Sequence, residues 1–257
     1  YPVASAGAEY TYKNSSGVDV SDRTKIAFIE VAPGVAFNLP WNLRLGASYR
    51  ITILTFDRYQ GQLVNAGTPM FDMKMKGASF LGFKVGLQWQ PLPWLQVGLV
   101  YRHKTTTTVK ADSAAVAGAN WGATSMDFIL PSRLGIGLRG DVPVINLGIA
   151  LDVEYAFQSQ NQSASIHAKS KVDGAPALDI LNSYQWKDAV TVRTGLEYGF
   201  LGMFKARLGY LFDGKTSNSH FPSAFGTPPA SNHALTLGGG VSFWKMQVNL
   251  AYAYRWG

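Results

Sequence analysis

The chain contains no cysteine, which excludes disulfides, thiolate nucleophiles and cysteine-based metal sites. No apolar run reaches the roughly 18 residues of a transmembrane helix, so none is expected. The histidines are His103, His167, His220 and His233, and none has metal-ligand spacing to another histidine or a carboxylate. No Gly-x-Ser-x-Gly elbow accompanies His103, so a Ser/His hydrolase built on a barrel lacks its nucleophile and no enzymatic activity is expected. Gly238, Gly239 and Gly240 have no Lys-Ser/Thr after them, so they do not form a phosphate loop. Within a strand they allow a bend or close packing. The chain opens on Tyr1 without a methionine or a leader, which reads as a removed leader or missing upstream sequence.

What is present is alternation. From Ile145 to Gln158 every odd position but none of the even ones is large and apolar. Ile145, Leu147, Ile149, Leu151, Val153, Tyr155 and Phe157 oppose small or polar residues that include Asp152 and Glu154. A strand turns successive side chains to opposite faces, so one face is apolar and the other wet. The pattern covers 14 residues, well beyond the roughly 5–6 of an average soluble strand. Lipid outside and water inside call for this length and pattern. It recurs at 43–57, 81–89, 95–104, 126–138, 190–198, 204–212, 235–243 and 246–256. In 126–138 it aligns Met126, Phe128 and Leu130 with Leu134, Ile136 and Leu138. With weaker strands near 5–12 and 25–38, about eleven are expected. Hydrophobic residues make up 47% of the chain, yet the mean hydropathy is only +0.01, as expected when apolar positions are diluted one in two.

The connections alternate in length. Short ones fall at 39–42, 90–94, 140–144, 199–203 and 244–245, and long ones near 13–24, 58–77, 105–125, 159–188 and 213–233. Outer-membrane barrels alternate short turns on one side with long loops on the other. Trp41, Trp94 and Trp244 stand beside short turns, where aromatics form an interfacial girdle. The expected architecture is one all-β domain over 1–257, an antiparallel transmembrane β-barrel of the outer membrane. The segment 175–181 is expected to form one helical turn inside a long loop, capping the pore mouth or touching a partner. A net charge of +7 invites a nucleic-acid partner. The cations alternate with aliphatics along strands and form no basic helix or stacking platform, so none is expected. Positive charge in a lumen attracts anions instead.

Ordered local motifs resemble the long-chain fatty acid transporter family of Gram-negative outer membranes. They are Leu130-Pro131, Tyr184-Gln-Trp-Lys-Asp188, Val192-Arg-Thr-Gly-Leu-Glu-Tyr198 and Arg207-Leu-Gly-Tyr-Leu-Phe-Asp213. A loop with Phe221-Pro222 and Pro228-Pro229 and a Gly-rich strand at Leu237–Ser242 follow. The resemblance covers roughly residues 25–257. It implies a monomeric barrel of fourteen antiparallel strands that carries hydrophobic compounds across the outer membrane, with lateral escape into the bilayer. Two departures stand out. The family's N-terminal hatch, its earliest strands and a closing strand after Trp256 have no counterpart here. Eleven strands leave two bare edges, which lipid does not tolerate, so the chain is expected to be part of a longer one or to be completed by another. The segment 58–77 is also shorter than the helical loop that forms the family's outer capture groove.

The expected function is therefore diffusive uptake of hydrophobic small molecules such as long-chain fatty acids or hydrocarbons. It needs no cofactor and no metal, with membrane lipid or detergent as the surrounding partner. The alternative is a structural or docking barrel in an outer-membrane secretion or surface machinery, with 159–188 and 213–233 as protein interfaces. Candidate lumen-facing residues are Arg50, Lys84, Arg102, Glu154, Arg193, Glu197 and Arg207. Asp152 shares the face of Glu154, Lys205 that of Arg207, and Arg44 joins Arg50, Lys84 and Arg102 in a basic patch. Such charges line a translocation path and orient a carboxylate, or they pair with one another and with an absent hatch to hold the strands in register. If the patch binds an anionic head group, Arg50→Ser/Arg102→Ser weakens uptake of an anionic substrate, measured with radiolabelled fatty acid. Unchanged uptake removes that role.

Overall fold

The computed structural model describes residues 2–63, 67–221 and 230–257. The chain folds into one antiparallel meander. Its strands are β1 Pro2–Lys13, β2 Asp19–Val31, β3 Gly34–Leu39, β4 Leu43–Gln62, β5 Phe71–Leu92, β6 Leu95–Arg102 and β7 Thr105–Ala111. The short β8 Ala114–Val116 and β9 Ala119–Trp121 form a hairpin beyond β7. There follow β10 Thr124–Leu130, β11 Arg133–Val142, β12 Leu147–Ala156, β13 Ser163–Ala168, β14 Leu178–Ser183, β15 Ala189–Phe200, β16 Phe204–Asp213, β17 Asn232–Phe243 and β18 Met246–Trp256.

Pairing merges several of these into single staves: β2 with β3, β6 with β7, β10 with β11, β12 with β13, and β14 with β15. The wall therefore has eleven staves, as the alternation indicated. Among the described residues, β1 pairs only with β2 and β18 only with β17, so the sheet curls without closing. Short turns join the staves at one end, at 40–42, 93–94, 143–146, 201–203 and 244–245. Trp41, Trp94 and Trp244 all sit at this end. Trp41 and Asn42 both take left-handed backbone, with φ of 61° and 57°, which is the type I′ geometry that a tight hairpin on twisted strands demands.

The outer surface near the short turns is apolar. On β4 the odd positions from Leu43 to Ile53 face outward, while Arg50, Thr52, Leu54 and Phe56 are buried inside. Eleven residues is the length with which a tilted strand crosses a bilayer, roughly 9–11. The belt continues through Phe83 and Val85, Ile136 and Leu138, Ile149 and Leu151.

Beyond the belt the polarity reverses. Met73 and Met75 turn inward and are almost fully buried, while Lys74 and Lys76 between them face out. Thr106 and Thr108 likewise face outward, alternating with the buried Thr105, Thr107 and Val109. The interior of this far half is an apolar core of Phe28, Leu54, Phe56, Met73, Met75 and Met126 with their neighbours. Phe56 and Phe128 meet across it at 5.0 Å.

The change of polarity coincides with a band of wall irregularities. Staves break at 32–33, 103–104, 131–132, 157–162 and 184–188, and β4 and β5 shift register between Arg50 and Thr52. Backbone groups freed there find partners. His103 N–H donates to the Phe83 carbonyl at 2.9 Å, Tyr49 N–H to Pro33 at 2.9 Å, and Phe157 N–H to Ser132 at 3.0 Å.

These breaks correct several expectations. The apolar positions of 126–138 do not share a face: Met126, Phe128 and Leu130 pack into the core, whereas Leu134, Ile136 and Leu138 face outward. Pro131 interrupts the ladder and shifts the phase by one residue, which reverses every side chain. The alternation at 145–158 yields a strand only over Leu147–Ala156, because Pro143–Ile145 forms a 3-10 turn and Phe157 lies in the break. The supposed helical turn at 175–181 contributes to β14 instead. Leu178 and Ile180 alternate with Asp179 and pack against the core, a period of two rather than 3.6. Much of the long connections is strand that continues past the belt: 58–62, 71–77, 105–111 and 163–168 all pair in the wall. Of the Pro-bearing loop, Pro222, Pro228 and Pro229 lie outside the described residues, as do residues 64–66.

The belt predicts a depth-dependent cost. Ile136→Arg, outward within the belt, destabilises the barrel in lipid by about 2–4 kcal/mol, while Thr106→Arg beyond it costs about 1 kcal/mol or less. Urea titration of vesicle-reconstituted protein followed by tryptophan fluorescence measures both.

Candidate functional site

The lumen carries a buried charge cluster and two cavities. Glu30 lies at the inner end of β2, next to the break at 32–33, after Ile26 and Phe28 on the same face. Its carboxylate is essentially buried, as is Arg50. Arg50 Nε donates to Glu30 Oε2 at 2.8 Å, and Arg50 Nη1 donates to the His103 carbonyl at 2.7 Å. Arg102 Nη2 donates to the same Glu30 oxygen at 3.1 Å. Each cation comes from a different stave, so the cluster ties three staves together at the level of the breaks. Gly82 permits it, since a Cβ there would press on the Arg50 carbonyl at 2.9 Å.

On the far side lies an apolar chamber of about 350 Å³. Ile26, Phe28, Phe128, Leu130, Ala164 and Trp186 line it, with Thr24, Asp127, Arg133, Gln158 and Asn161 among its polar groups. Tyr184 stacks on Trp186 at 5.3 Å, and burial pushes the Tyr184 hydroxyl pKa up. Trp186 Nε1 has no acceptor among the described residues. Such a lining binds an apolar molecule by dispersion and exclusion of water, with few polar groups to orient it.

On the short-turn side lies a vestibule of about 840 Å³. Gly46, Gly86, Gly98, Gly135, Gly137 and Gly195 keep it wide. Asp152 and Arg193 line it and pair, and further ion pairs bridge neighbouring staves outside its lining. Arg133 meets Glu154 at 2.8 Å, Arg193 meets Asp152 at 2.6 Å, and Glu197 takes Lys205 at 2.8 Å and Arg207 at 2.6 Å. Asp152 and Arg193 are direct cross-strand neighbours, as are Glu197 and Arg207. Among the described residues, Arg44 and Lys84 have no carboxylate within ion-pair reach.

The candidates from the sequence therefore fall into two groups. Arg50 and Arg102 converge on Glu30. Glu154, Arg193, Glu197 and Arg207 form pairs along the vestibule, and Lys84 stands beside Arg102 as its cross-strand neighbour. Gly238 and Gly240 flank Arg207, and a Cβ at Gly240 would lie 3.2 Å from its Nη1. Glu30 and the aromatic chamber were not among the candidates. The readable signal for Glu30 was a lone carboxylate in the apolar run 26–31. For the neighbouring apolar core it was Met-Lys-Met-Lys at 73–76, whose period of two marks a strand. The histidines lie apart: His103 stacks on Phe83 at 4.7 Å, His233 on Trp256 at 5.6 Å, and His167 pairs with Asp179.

No protein-family model and no curated protein matches the chain. Solved structures do. A Pseudomonas aeruginosa FadL homologue superposes with a TM-score of 0.73 at 16% identity, over 92% of this chain and 65% of that one. The CymD monoaromatic hydrocarbon channel gives 0.63 at 16% identity, over 98% and 72%. The P. putida toluene transporter TodX gives 0.63 at 16% identity, over 97% and 70%. The chain thus spans just under two thirds of the first of these and somewhat more of the others. The likeness shows a shared barrel fold.

Removing the buried carboxylate leaves two cations uncompensated. Glu30→Ala destabilises the barrel by about 3–5 kcal/mol, and adding Arg50→Met recovers part of the loss. Equilibrium unfolding in detergent measures both variants.

Proposed function

We propose that this chain forms the wall of an outer-membrane channel through which hydrophobic small molecules diffuse into a Gram-negative cell. The observation that carries the reading is the reversal of polarity: the far half of the barrel is polar outside and apolar inside. A barrel that passes ions or sugars gains nothing from an apolar interior, whereas a molecule of low water solubility is drawn into one. The fold shared with CymD and TodX, whose names describe a monoaromatic hydrocarbon channel and a toluene transporter, supports the same reading.

An apolar solute leaves water for the chamber lined by Phe28, Phe128 and Trp186. A cavity of about 150 Å³ accommodates benzene, so this larger chamber fits a one-ring hydrocarbon or a segment of an acyl chain. Passage needs no covalent step, no metal and no cofactor, since similar apolar contacts replace one another along the path. The Glu30–Arg50–Arg102 cluster ties its three staves together, and ion pairs across the other staves stiffen the wall. In lipid the free edges of β1 and β18 require partners, so the working barrel includes strands beyond these eleven staves.

Ala164 lines the chamber and is buried. Ala164→Phe fills the space and lowers toluene uptake by roughly tenfold or more, whereas Leu196→Phe on the outer face leaves it unchanged. Uptake of radiolabelled toluene by cells carrying each variant is the measurement, with heat-modified mobility on gels confirming a folded barrel. Equal uptake by Ala164→Phe and the parent removes the chamber from the path.

A further inference from the structure

A cationic concavity lies on the outside of the wall, just beyond the apolar belt. Lys74 and Lys76 project from β5 and Lys110 from β7, all fully solvent-facing. Lys76 and Lys110 are direct cross-strand neighbours. Like charges directly opposite each other in a sheet are destabilising. Gly77 enforces their approach, because a Cβ there would collide with the Thr108 carbonyl. Between the lysines is a depression of about 580 Å³, with Asp112 and Ser113 at its rim.

Asp112 lines the depression and Asp72 shares the face of Lys74, but among the described residues neither forms an ion pair with the three lysines. Asp57, the cross-strand neighbour of Lys74, is engaged by Arg23 at 3.8 Å. Asp127 accepts the Thr108 hydroxyl at 2.6 Å. Among the described residues, none of the three lysines has a carboxylate within 4.0 Å. The same stave continues from Lys76 into the belt at Phe80 and Leu81, both well exposed. Four residues of strand span about 13 Å, a distance that flexible lysine side chains shorten.

We propose that this surface binds the phosphate groups of a membrane phosphoglycolipid, with Lys74, Lys76 and Lys110 holding the phosphates and Phe80 and Leu81 lying along the acyl chains. The geometry favours a lipid over free phosphate, because charge and apolar surface follow one another along the membrane normal on one stave. Each lysine near an anionic lipid surface strengthens attachment about fivefold, and three together favour a specific headgroup. The site rests on the membrane placement proposed above but not on the transport reading.

The test uses the full chain in detergent micelles, probed by native mass spectrometry with an acylated glucosamine disaccharide bearing two phosphates. The parent retains this lipid, and its dephosphorylated form binds at least about tenfold more weakly. Lys74→Gln/Lys76→Gln/Lys110→Gln loses the preference, while the corresponding triple arginine variant keeps it. Equal retention by the glutamine variant, equal binding of the dephosphorylated lipid, or displacement by millimolar inorganic phosphate each overturns the proposal. Insertion into phosphatidylcholine vesicles is scored separately by protease protection, so failure of the membrane placement is distinguishable from failure of the lysine site. Toluene uptake is unchanged in the glutamine variant, which separates this surface from the channel.

Discussion

A strand that crosses a bilayer has no water to satisfy its backbone, and this constraint organises the whole wall. Every N–H and C=O in the belt has to be met by a neighbouring stave, so the chain runs up and down with tight turns at one end. Where the ladder breaks, the same constraint recruits substitutes: Phe83 and Pro33 carbonyls accept the N–H groups of His103 and Tyr49, and the Ser132 carbonyl accepts that of Phe157. The Ser132 hydroxyl also accepts the Lys104 N–H at 3.1 Å. The breaks are thus coordinated across neighbouring staves.

The breaks are where the barrel changes character. Below them lipid lies outside and an open, charged vestibule inside. Beyond them the outer surface is charged and the inside is apolar. Moving strand residues from one regime to the other requires the side-chain pattern to change phase or composition. The chain does both: Pro131 shifts phase between β10 and β11, and on β4 the inward residues change from Arg50 and Thr52 to Leu54 and Phe56. Glu30, Arg50 and Arg102 sit at this boundary. Burying a carboxylate with two guanidinium groups is costly, and here it is offset by the bonds of Arg50 Nε and Arg102 Nη2 to one Glu30 oxygen and of Arg50 Nη1 to the His103 carbonyl.

The candidate site was only half legible. That Asp152, Arg193, Glu197 and Arg207 share the polar face follows from strand alternation, while register decided which of them pair. The chamber is harder to see, because its residues obey the same period of two as the lipid-facing ones. A Met, Phe or Leu at an alternate position carries no mark of which side it faces. Only the burial of Met73, Met126 and Phe128 against one another distinguishes an inner apolar face from an outer one.

The sequence by itself determined the strand count, the up-and-down order and the position of the short turns, because each depends on local periodicity and turn chemistry. Tertiary structure decided which side each apolar stretch faces beyond the breaks, since a one-residue phase shift at Pro131 leaves no trace in composition. It also decided that 178–183 is a strand, through pairing with β13. And it alone brought Glu30 together with Arg50 and Arg102, residues 20 and 72 positions away in the chain, because convergence across staves depends on register and curvature that no local window contains.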